Sequence, residues 1–466
     1  MKTDTIAAIA TAMSSSGIGI IRISGEEAVI IAHSIFVNKK KEKCLNTYPS
    51  HTIHYGFIID EDDNIVDEVM ISVMKKPYSY TAEDTVEINC HGGILMMQKI
   101  MDIVLKAGAR AAKPGEFTKR AFLNGRIDLS KAEAVMDIIQ SKNEFALKNS
   151  VSQLNGSIYE VIKKLRENII FEIAFIESAL DDPEHISLEG YPEKLLLKID
   201  DIRNKIEKLL NSANDGKILK EGINTVIVGK PIVGKSSLLN ILVGEEKAIV
   251  TEIAGTTRDI IEETVLINGI PLNIIDTAGI RSTEDIVEKI GVEKAKNALL
   301  KADLVIYVID ASIPLDDNDS DIIEMIADKN IIVLLNKSDL DVCVTEEKLK
   351  SFISDSSVYD HLNIIKTSTK EKEGMDIFTD TIIDMFFHHE ISYNDEVYIT
   401  NIRHKEALHD AFESIIQVKK SIEDQMPEDF YSIDLMSAYA SLGMIIGEEV
   451  GEDLVNGIFS KFCMGK

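Results

Sequence analysis

The 466-residue chain has few cysteines, few glycines and prolines, and no long apolar run. Its four cysteines are scattered without a C-x-x-C pair, which fits neither a disulfide framework nor a structural zinc site and favours a reducing cytoplasm. With 26 glycines and 9 prolines, collagen-like repeats and wholesale disorder are excluded. No stretch approaches the roughly 18 consecutive apolar residues of a membrane span, and Asp4 argues against a signal peptide. We therefore expect a cytoplasmic protein that does not associate with a membrane.

Basic side chains are also in the minority. Lysine and arginine total 50 against 78 acidic residues, which gives a net charge of −28. Residues 1–120 are nearly neutral, with 15 acids and 14 bases, so almost all of the excess lies after them. Such a field repels phosphate backbones and anionic membranes. If the protein acts on a nucleic acid, a local patch or a basic partner must supply the positive charge.

Changes in the spacing of apolar residues divide the chain. Its length predicts about three domains. Short β-branched runs alternate with turn clusters in residues 1–120 and predict a small α+β domain. Helical spacing dominates 121–217 and 389–466, whereas buried strands alternate with helices over 218–388. The sequence therefore predicts a multidomain chain in which a parallel α/β domain is inserted into a helical domain.

Individual elements can be predicted inside these segments. Residues 132–147 and 194–210 are predicted helices, and we expect helix breaks near Asp181 to Pro183 and at Asn211 to Gly216. The pair Asn268-Gly269 predicts a hairpin turn. The predicted core strands of the α/β domain are 225–229, 271–276, 303–310, 331–336 and 363–368.

The segment GKPIVGKS, residues 229–236, fits the phosphate-binding pattern G-x-x-x-x-G-K-[ST]. It lies between a predicted strand and a predicted helix, which is the context that this motif requires. Gly229 and Gly234 let backbone amides converge on phosphates, Lys235 adds a positive charge at the β and γ oxygens, and Ser236 can ligate Mg²⁺. A chance Gly-Lys-Ser turn does not account for this combination.

Further motifs follow the phosphate-binding segment along the chain. DTAG, residues 276–279, places Asp276 for a metal-bound water and the Gly279 amide for the γ-phosphate. In NKSD, residues 336–339, Asp339 can accept both the N1 and N2 protons of guanine, a match that adenine cannot make. The sequence therefore predicts GTP rather than ATP. The segment TEIAGTTRD, residues 251–259, offers Thr257 as a second Mg²⁺ ligand.

The predicted GTP-binding residues are drawn from these motifs and from the loop STK. They are Gly229, Lys230, Pro231, Ile232, Val233, Gly234, Lys235, Ser236, Ser237, Thr251, Glu252, Ile253, Ala254, Gly255, Thr256, Thr257, Asp276, Thr277, Ala278, Gly279, Asn336, Lys337, Asp339, Ser368, Thr369 and Lys370.

The residue after DTAG departs from the Ras pattern. Ras-type proteins carry a glutamine there that orients the attacking water, but this chain has Ile280, which cannot do so. Arg281 and Glu288 are the nearest polar candidates for the catalytic role. A solvated helix face explains these two residues equally well.

Three segments outside the GTPase motifs are hard to explain by packing alone: 86–93, 113–135 and the C-terminal 458–466, which contains CMGK. Together with DTIAAIAT and GIGIIRISG near the N-terminus, they make the whole chain resemble the tRNA modification GTPase family known as MnmE or TrmE. The resemblance implies a folate-binding and dimerisation domain over 1–120 and a Ras-like GTPase domain between the two helical parts.

The resemblance also implies an activity. Members of this family, with an FAD-dependent partner called MnmG or GidA, add a carboxymethylaminomethyl or aminomethyl group to C5 of the wobble uridine, position 34, of certain tRNAs. It further implies a homodimer that joins the partner in a heterotetramer, and 5-formyl- or methylene-tetrahydrofolate as the one-carbon donor. The acidic composition leads us to expect that the partner carries most tRNA contacts.

The folate site carried over from the family comprises Arg22, Glu87, Arg126 and Lys466, with Arg126 where many members have lysine. Cations would receive the acidic tail of folate, and a carboxylate could bind its pterin edge. Taken by themselves, Arg22 and Glu87 fit ordinary surface charges better. Cys463 belongs to the C-terminal motif, and a reactive thiol and a packed cysteine are equal alternatives for it.

The resemblance assigns Glu288 to the activation of water and implies a K⁺ ion in the GTPase dimer. Thr251, Ile253 and Thr256 match the loop ligands of that ion. The remaining ligand is normally an asparagine side chain, and Ile232, which has no donor oxygen, stands in its place. We therefore expect hydrolysis that is slower, less selective for K⁺, or completed by a water.

Two other functions fit parts of the sequence. A GTP-dependent switch or ribosome-assembly GTPase would share the GTTRD and NKxD motifs without covalent chemistry on RNA, but the chain has no basic RNA-binding tail. A folate enzyme with a vestigial GTPase is disfavoured because the phosphate- and base-reading motifs are intact.

Overall fold

The computed structural model describes residues 4–141, 143–245, 263–275, 298–353, 362–387, 397–462 and 465. The chain divides into two compact units. One comprises Met1–Ile139, Val151–Ile199 and Asp410–Lys466, and the other comprises Gln140–Ser150 and Asp200–His409. No helix in the described part of the chain is both long enough and apolar enough to cross a membrane.

The first unit contains a seven-stranded sheet in the order β3-β4-β5-β6-β2-β1-β7, antiparallel except for the parallel pair β1 and β7. Apolar residues alternate along its strands, so that Ile21, Ile71 and Ile88 point into one core. Its strands are β1 (Ile6–Ile9), β2 (Ile18–Ser24), β3 (Phe36–Asn38), β4 (Thr52–Ile59), β5 (Ile65–Met74), β6 (Thr85–His91) and β7 (Arg110–Ala111).

Two helices cover one face of this sheet, α1 (Ala28–Ile35) and α2 (Ile94–Lys106). Buried side chains of α2, among them Met97 and Ile100, pack into the same core as the sheet. The pattern of strands and helices agrees with the small α+β domain predicted here. A 3₁₀ turn spans Leu45–Thr47.

The helices outside the two sheets follow the predicted helical spacing. They are α3 (Glu116–Leu123), α4 (Leu129–Gln140), α5 (Glu144–Leu154), α6 (Ser157–Asp181), α7 (Tyr191–Glu221), α12 (Ile402–Glu423), α13 (Glu428–Ile446) and α14 (Glu452–Phe459). The predicted break near Asp181 to Pro183 is confirmed, because α6 ends at Asp181.

The predicted break at Asn211 to Gly216 is wrong, because α7 runs through it to Glu221. Buried Leu209, Ala213 and Leu219 hold this stretch in a helix, and their packing outweighs the roughly 1 kcal/mol that a helical glycine costs. A Cβ on Gly216 would lie 2.5 Å from the carbonyl oxygen of Ile399, so the glycine permits a close approach instead of ending the helix.

The prediction of a single helix over 132–147 is also wrong, because two helices occupy this range. Helix α4 ends at Gln140 and α5 begins at Glu144. The Asn143 side-chain oxygen accepts a hydrogen bond of 2.7 Å from the amide of Ala146, which caps the start of α5. Apolar spacing continued across this cap and concealed it.

The second unit contains a six-stranded sheet in the order β13-β12-β11-β8-β10-β9. All neighbours are parallel except β9 and β10, which form the hairpin predicted from Asn268-Gly269. The five predicted core strands are confirmed within two residues at each end. The strands are β8 (Ile223–Val228), β9 (Glu263–Ile267), β10 (Ile270–Ile274), β11 (Leu304–Asp310), β12 (Asn330–Asn336) and β13 (Leu362–Lys366).

Helices cover both faces of this parallel sheet: α8 (Lys235–Glu245), α9 (Asp317–Ile326), α10 (Glu346–Phe352) and α11 (Met375–Phe386). Alternate residues of one strand serve two cores. Ile306 faces the core of Leu238 and Phe378, whereas Tyr307 faces the core of Ile326 and Leu349. The carboxyl ends of the parallel strands therefore meet along one edge, which positions the loops described next.

Candidate functional site

The loop 229–236 connects the end of β8 to the start of α8. Both of its glycines have positive φ angles, 150° at Gly229 and 109° at Gly234. A Cβ at Gly229 would lie 2.4 Å from the Val308 carbonyl oxygen, and one at Gly234 would lie 2.2 Å from the Asn336 side-chain nitrogen. Only glycine satisfies these close contacts, so the loop can wrap tightly at the N-terminus of α8, where amide groups favour an anion.

Lys235 is held inside this loop. Its Nζ donates hydrogen bonds of 2.7 Å to the carbonyl oxygens of Gly229 and Lys230. Burial lowers the pKa of the Lys235 ammonium, since desolvation disfavours its charge. A phosphate oxygen beside this nitrogen would restore the favourable environment of a cation, which is the role expected of the lysine in this motif.

Ile232 lies at the tip of the same loop, with a φ of 65° and 90% of its surface exposed. A β-branched residue in the left-handed region is strained by about 1–2 kcal/mol, because its Cβ approaches the following carbonyl. Its side chain offers no oxygen to a cation. The loss of a potassium ligand at this position stays a prediction from the sequence.

Asn336 joins three loops. It ends β12, is 1% exposed, and donates from Nδ2 to the Val233 carbonyl oxygen over 2.8 Å. Its Oδ1 accepts the amide of Thr369 at 3.0 Å. The NKSD motif, the phosphate loop and the 368–370 loop are therefore brought together as the sequence predicts, with Asn336 as the fixed centre.

Asp339 lies at the solvent-facing side of this arrangement. Its Oδ1 accepts a hydrogen bond of 2.7 Å from the Ser368 hydroxyl, and Lys370 Nζ lies 3.9 Å from Oδ2. The Ser368 hydrogen bond, aided by Lys370 and Lys337, lowers the pKa of the Asp339 carboxyl. The group is ionised at neutral pH and can accept two hydrogen bonds from N–H groups on one edge of a purine.

Lys337 stabilises the loop 336–339, which contains the NKSD motif. It has a positive φ of 63°, and its Nζ pairs with Asp310 Oδ2 at 2.6 Å, at the end of β11. Burial opposes ionisation of Asp310, but the hydrogen bonds from Lys337 and Ser312 outweigh it and lower its pKa. This ion pair fixes the backbone between Asn336 and Asp339.

Substitution of Gly234 by alanine tests the phosphate loop. We expect Gly234→Ala to weaken GTP binding by about 100-fold or more, because the new Cβ meets Asn336 and the φ angle excludes it. Gly244→Ala is the matched control, since Gly244 lies on α8 with nothing within 4 Å of its Cβ position. Fluorescent nucleotide titration measures both. Equal affinities of the two variants would contradict this description of the loop.

A second candidate site lies on the seven-stranded sheet. Arg22 on β2 and Glu87 on β6 are directly opposite each other in the register, and Arg22 Nε donates to Glu87 Oε1 over 2.8 Å. Arg22 Nη1 also donates to the Gly465 carbonyl oxygen at 3.1 Å. The two side chains are only 16% and 22% exposed, so they are not freely solvated surface charges.

Aromatic rings surround this pair. The Arg22 guanidinium carbon lies 5.5 Å from the centre of the Tyr80 ring and 5.7 Å from that of Phe117. Arg126, which is exposed, places its guanidinium carbon 5.0 Å from the same Tyr80 ring. Two cations, one carboxylate and two rings thus form a site that can hold a flat, polar, anionic molecule.

Gly465, one residue of the C-terminal motif, lies at this site. It has a φ of 87°, and a Cβ there would lie 2.7 Å from the Ile9 carbonyl oxygen and from the Ala10 Cα. A glycine is therefore required where residue 465 meets the end of β1. This contact gives a physical reason for the glycine of the C-terminal motif.

The charged residues of the segment 113–120 have a structural explanation. Arg120 is 8% exposed and bonds to the carboxylates of Asp4, Glu83 and Glu116, and Arg110 pairs with Glu116 at 2.7 Å. This ion-pair cluster connects α3 to β1 and β7. These charged residues of the segment 113–135 therefore fix the fold next to the Arg22 site.

The ion-pair cluster predicts a dependence of stability on pH. Burial raises the pKa of Glu116, but hydrogen bonds from Arg110, the Lys113 amide and Arg120 outweigh it, so the folded pKa lies below the ordinary 4.5. The stability from these bonds is complete above pH 4.5 and is lost as the pH falls through the lowered folded value.

We therefore expect Glu116→Gln to lower the free energy of unfolding by about 1–3 kcal/mol at neutral pH. The difference from the native chain should shrink progressively below pH 4.5, where the native carboxylate is also neutralised. Urea denaturation of both chains across this pH range measures it. A difference that does not change with pH would show that the charge of Glu116 is not the cause.

Several predicted site residues lie outside the described residues. They are Thr251, Glu252, Ile253, Ala254, Gly255, Thr256, Thr257, Asp276, Thr277, Ala278, Gly279, Arg281, Glu288, Cys463 and Lys466. Their roles stay predictions from the sequence.

Other residues at these sites were not identified from the sequence. Tyr80 and Phe117 contribute the rings around Arg22, and Asp310 contributes the partner of Lys337. A charged residue that ends a buried strand, as Asp310 does in DLVIYVID, is the one signal that could have indicated such a role. The two aromatic residues gave no comparable signal.

Two family models match the chain. The model described as the MnmE helical domain matches residues 129–463, and the one described as the GTP-binding protein TrmE N-terminus matches residues 5–126. Together they cover nearly the whole sequence.

Curated proteins match along their full length. The tRNA modification GTPase MnmE of Lachnoclostridium phytofermentans is 57% identical over 466 residues, covering 100% of both chains. The protein of that name from Acetivibrio thermocellus is 50% identical with the same coverage. That of Clostridioides difficile is 49% identical over 467 residues, 99% of each chain.

Proposed function

Because the chain belongs to the MnmE family of tRNA modification GTPases, we propose that it adds an aminomethyl-type group to a wobble uridine of tRNA. The chain is a GTPase that binds GTP and takes part in tRNA modification. In the finer proposal it acts with the FAD-dependent protein MnmG, also called GidA. Together they attach a carboxymethylaminomethyl or aminomethyl group to C5 of the uridine at position 34 of certain tRNAs.

One observation carries this proposal: the same chain holds a guanine nucleotide site and a separate site around the pair Arg22 and Glu87. The second site contains cations, a carboxylate and aromatic rings, which is the donor set that a folate needs. A switch protein that only binds RNA or a ribosome has no use for such a site. This is why we favour modification chemistry over a GTP-dependent switch.

The residues present fit a 5-formyl- or methylene-tetrahydrofolate. Glu87 can accept hydrogen bonds from the N–H groups of the pterin edge, and Arg22 and Arg126 provide positive charge for the glutamate tail. Lys466 is proposed as a further cation. When bound, the folate supplies the one-carbon unit. The protein residues orient it and exclude water, and the Gly465 carbonyl keeps Arg22 in place.

In the GTPase site, the Ser236 and Thr257 hydroxyls are proposed to hold Mg²⁺, whose preference for oxygen ligands they satisfy. Glu288 and Arg281 are proposed to orient the attacking water. The residues present fit a potassium ion less well than they fit Mg²⁺, because Ile232 has no oxygen at the position where members of the family have a potassium ligand. We assign no step of hydrolysis to potassium.

The proposed assembly is a cytoplasmic homodimer that joins MnmG in a heterotetramer. The net charge of −28 supports a division of labour in which the partner binds most of the tRNA backbone. The isolated chain should therefore bind tRNA weakly. Tight and strongly salt-dependent binding of tRNA by this chain alone would contradict that part of the proposal.

Reconstitution tests the proposal. The purified chain, its FAD-dependent partner, GTP, a one-carbon folate and unmodified tRNA are combined, and the nucleosides are analysed by mass spectrometry. We expect a new C5-modified uridine with the native chain and its loss with Arg22→Ala, together with weaker binding of 5-formyltetrahydrofolate in calorimetry. Arg203→Ala, on α7, is the control that should retain both. Folate binding unaffected by Arg22→Ala would refute the assignment of this site.

A further inference from the structure

Lys230 follows the first glycine of the phosphate loop, but its side chain is bonded to acids of another element. Its Nζ lies 2.7 Å from Asp319 Oδ2 and 3.0 Å from Asp316 Oδ2, at the start of α9. The ammonium group is thus engaged by two carboxylates. Its side chain is a tether between the phosphate loop and α9.

Asp319 is a rigid anchor for this tether. It is 1% exposed, its Oδ1 accepts the hydroxyl of Tyr307 at 2.7 Å, and its Oδ2 also accepts the backbone amide of Asp316 at 2.9 Å. Tyr307 is itself buried in the centre of β11. A carboxylate so enclosed holds one rotamer, and it fixes the position of the Lys230 ammonium.

The loop that is tethered contains the strained residue Ile232. A β-branched residue is strained in the left-handed conformation, and the exposed Ile232 side chain gains little from packing. The conformation persists because the surroundings impose it. Asn336 holds the Val233 carbonyl on one side of Ile232, and Lys230 holds the other side.

We propose that Lys230 is a positioning residue, whose ion pair with Asp319 holds the phosphate loop in its GTP-binding shape against the strain at Ile232. Lys230 touches no reacting atom in this role, because its ammonium points to α9. Its backbone carbonyl also accepts a hydrogen bond from Lys235 Nζ, so a shift of Lys230 displaces the phosphate-binding lysine as well. The proposal concerns GTP binding alone and does not depend on the chemistry at uridine.

The first test separates binding from hydrolysis in the full-length protein. We expect Lys230→Met to raise the KM for GTP and the Kd for GDP about ten-fold while kcat changes less than about two-fold. A variant that was merely unstable would show the opposite, a lower kcat at unchanged KM, because fewer molecules would be active. Lys230→Arg can bond to both aspartates and should restore the native KM.

A matched control is Lys350→Met on α10, which removes an ion pair of the same 2.7 Å length with Glu346 on the protein surface. It should leave the KM for GTP unchanged. If Lys230→Met does not fold, Asp319→Asn weakens the tether without a change in the loop sequence. The same rise in KM is expected for it.

The second test links the tether to the strain. Asparagine tolerates the left-handed conformation, so Ile232→Asn removes most of the strain that the tether opposes. We expect Lys230→Met to raise the GDP Kd about ten-fold in the native background but less than about three-fold in the Ile232→Asn background. An equal rise in both backgrounds would overturn the link to Ile232, and an unchanged KM and Kd in Lys230→Met would overturn the proposal altogether.

Discussion

Asp339→Asn is expected to exchange the nucleotide preference of this protein from guanosine to xanthosine triphosphate. The carboxylate is ionised and has two acceptor oxygens, which match the N1 and N2 protons of guanine. Xanthine carries a carbonyl oxygen in place of the N2 amine. An asparagine side chain can accept from N1 and donate to that oxygen, so the variant complements xanthine instead.

The expected size of this exchange is large, because a site built for hydrogen bonds discriminates strongly against a base that leaves them unmade. We expect the GTP affinity to fall by about 100-fold or more and xanthosine triphosphate to become the better substrate. Steady-state turnover with both nucleotides measures it. The control Asp341→Asn, in the same exposed loop, should change neither the turnover of GTP nor that of xanthosine triphosphate. Retention of GTP turnover without a gain for xanthosine triphosphate would refute the assignment of Asp339.

Ile232→Asn is expected to make GTP turnover depend on potassium. The native side chain has no oxygen, and it is 90% exposed at the mouth of the phosphate loop. We expect GTP turnover by the native chain to be equal within about two-fold in K⁺ and Na⁺ at the same ionic strength. The asparagine variant, which regains an oxygen ligand, should turn over GTP about ten-fold or more faster in K⁺.

The control for this prediction is Ile232→Leu, which removes the β-branch but supplies no oxygen. Leucine, like asparagine, relieves part of the backbone strain at residue 232. A rise in nucleotide affinity that both variants show is therefore due to the relaxed backbone and not to an added oxygen ligand. Only the asparagine variant should distinguish K⁺ from Na⁺. Strong potassium activation of the native chain would contradict this prediction and show that the ion is held without residue 232.

The architecture of the α/β unit could be predicted from the sequence because its signals are local. Continuous apolar runs such as DLVIYVID are typical of parallel strands that are buried on both faces. The phosphate-binding pattern of residues 229–236 requires a strand before it and a helix after it. Helix ends were less accessible. At Asn143 the continuous apolar spacing concealed a real break, where the asparagine side chain caps the next helix. Gly216 favours a break by propensity but lies inside α7, because its missing side chain permits a close approach to Ile399.

The contacts within the two candidate sites could not be predicted from the sequence, because they join residues that are far apart along the chain. Strand register places Arg22 opposite Glu87, 65 residues apart, and no periodicity in either strand predicts it. The tether of Lys230 to Asp319 spans 89 residues and joins a motif to a helix start that looks like an ordinary N-terminus in the sequence. Motifs thus indicated which residues bind phosphate and base, and only the structure indicated what holds them.

The role of this protein in tRNA modification can be tested by analysing the tRNA nucleosides of cells that lack it. We expect uridines modified at C5 in the wobble position to disappear from their total tRNA. A plasmid copy of the native chain should restore them, whereas Lys235→Ala, which removes the lysine of the phosphate loop, should not. Modified uridines that persist unchanged in the absence of the protein would contradict the claim.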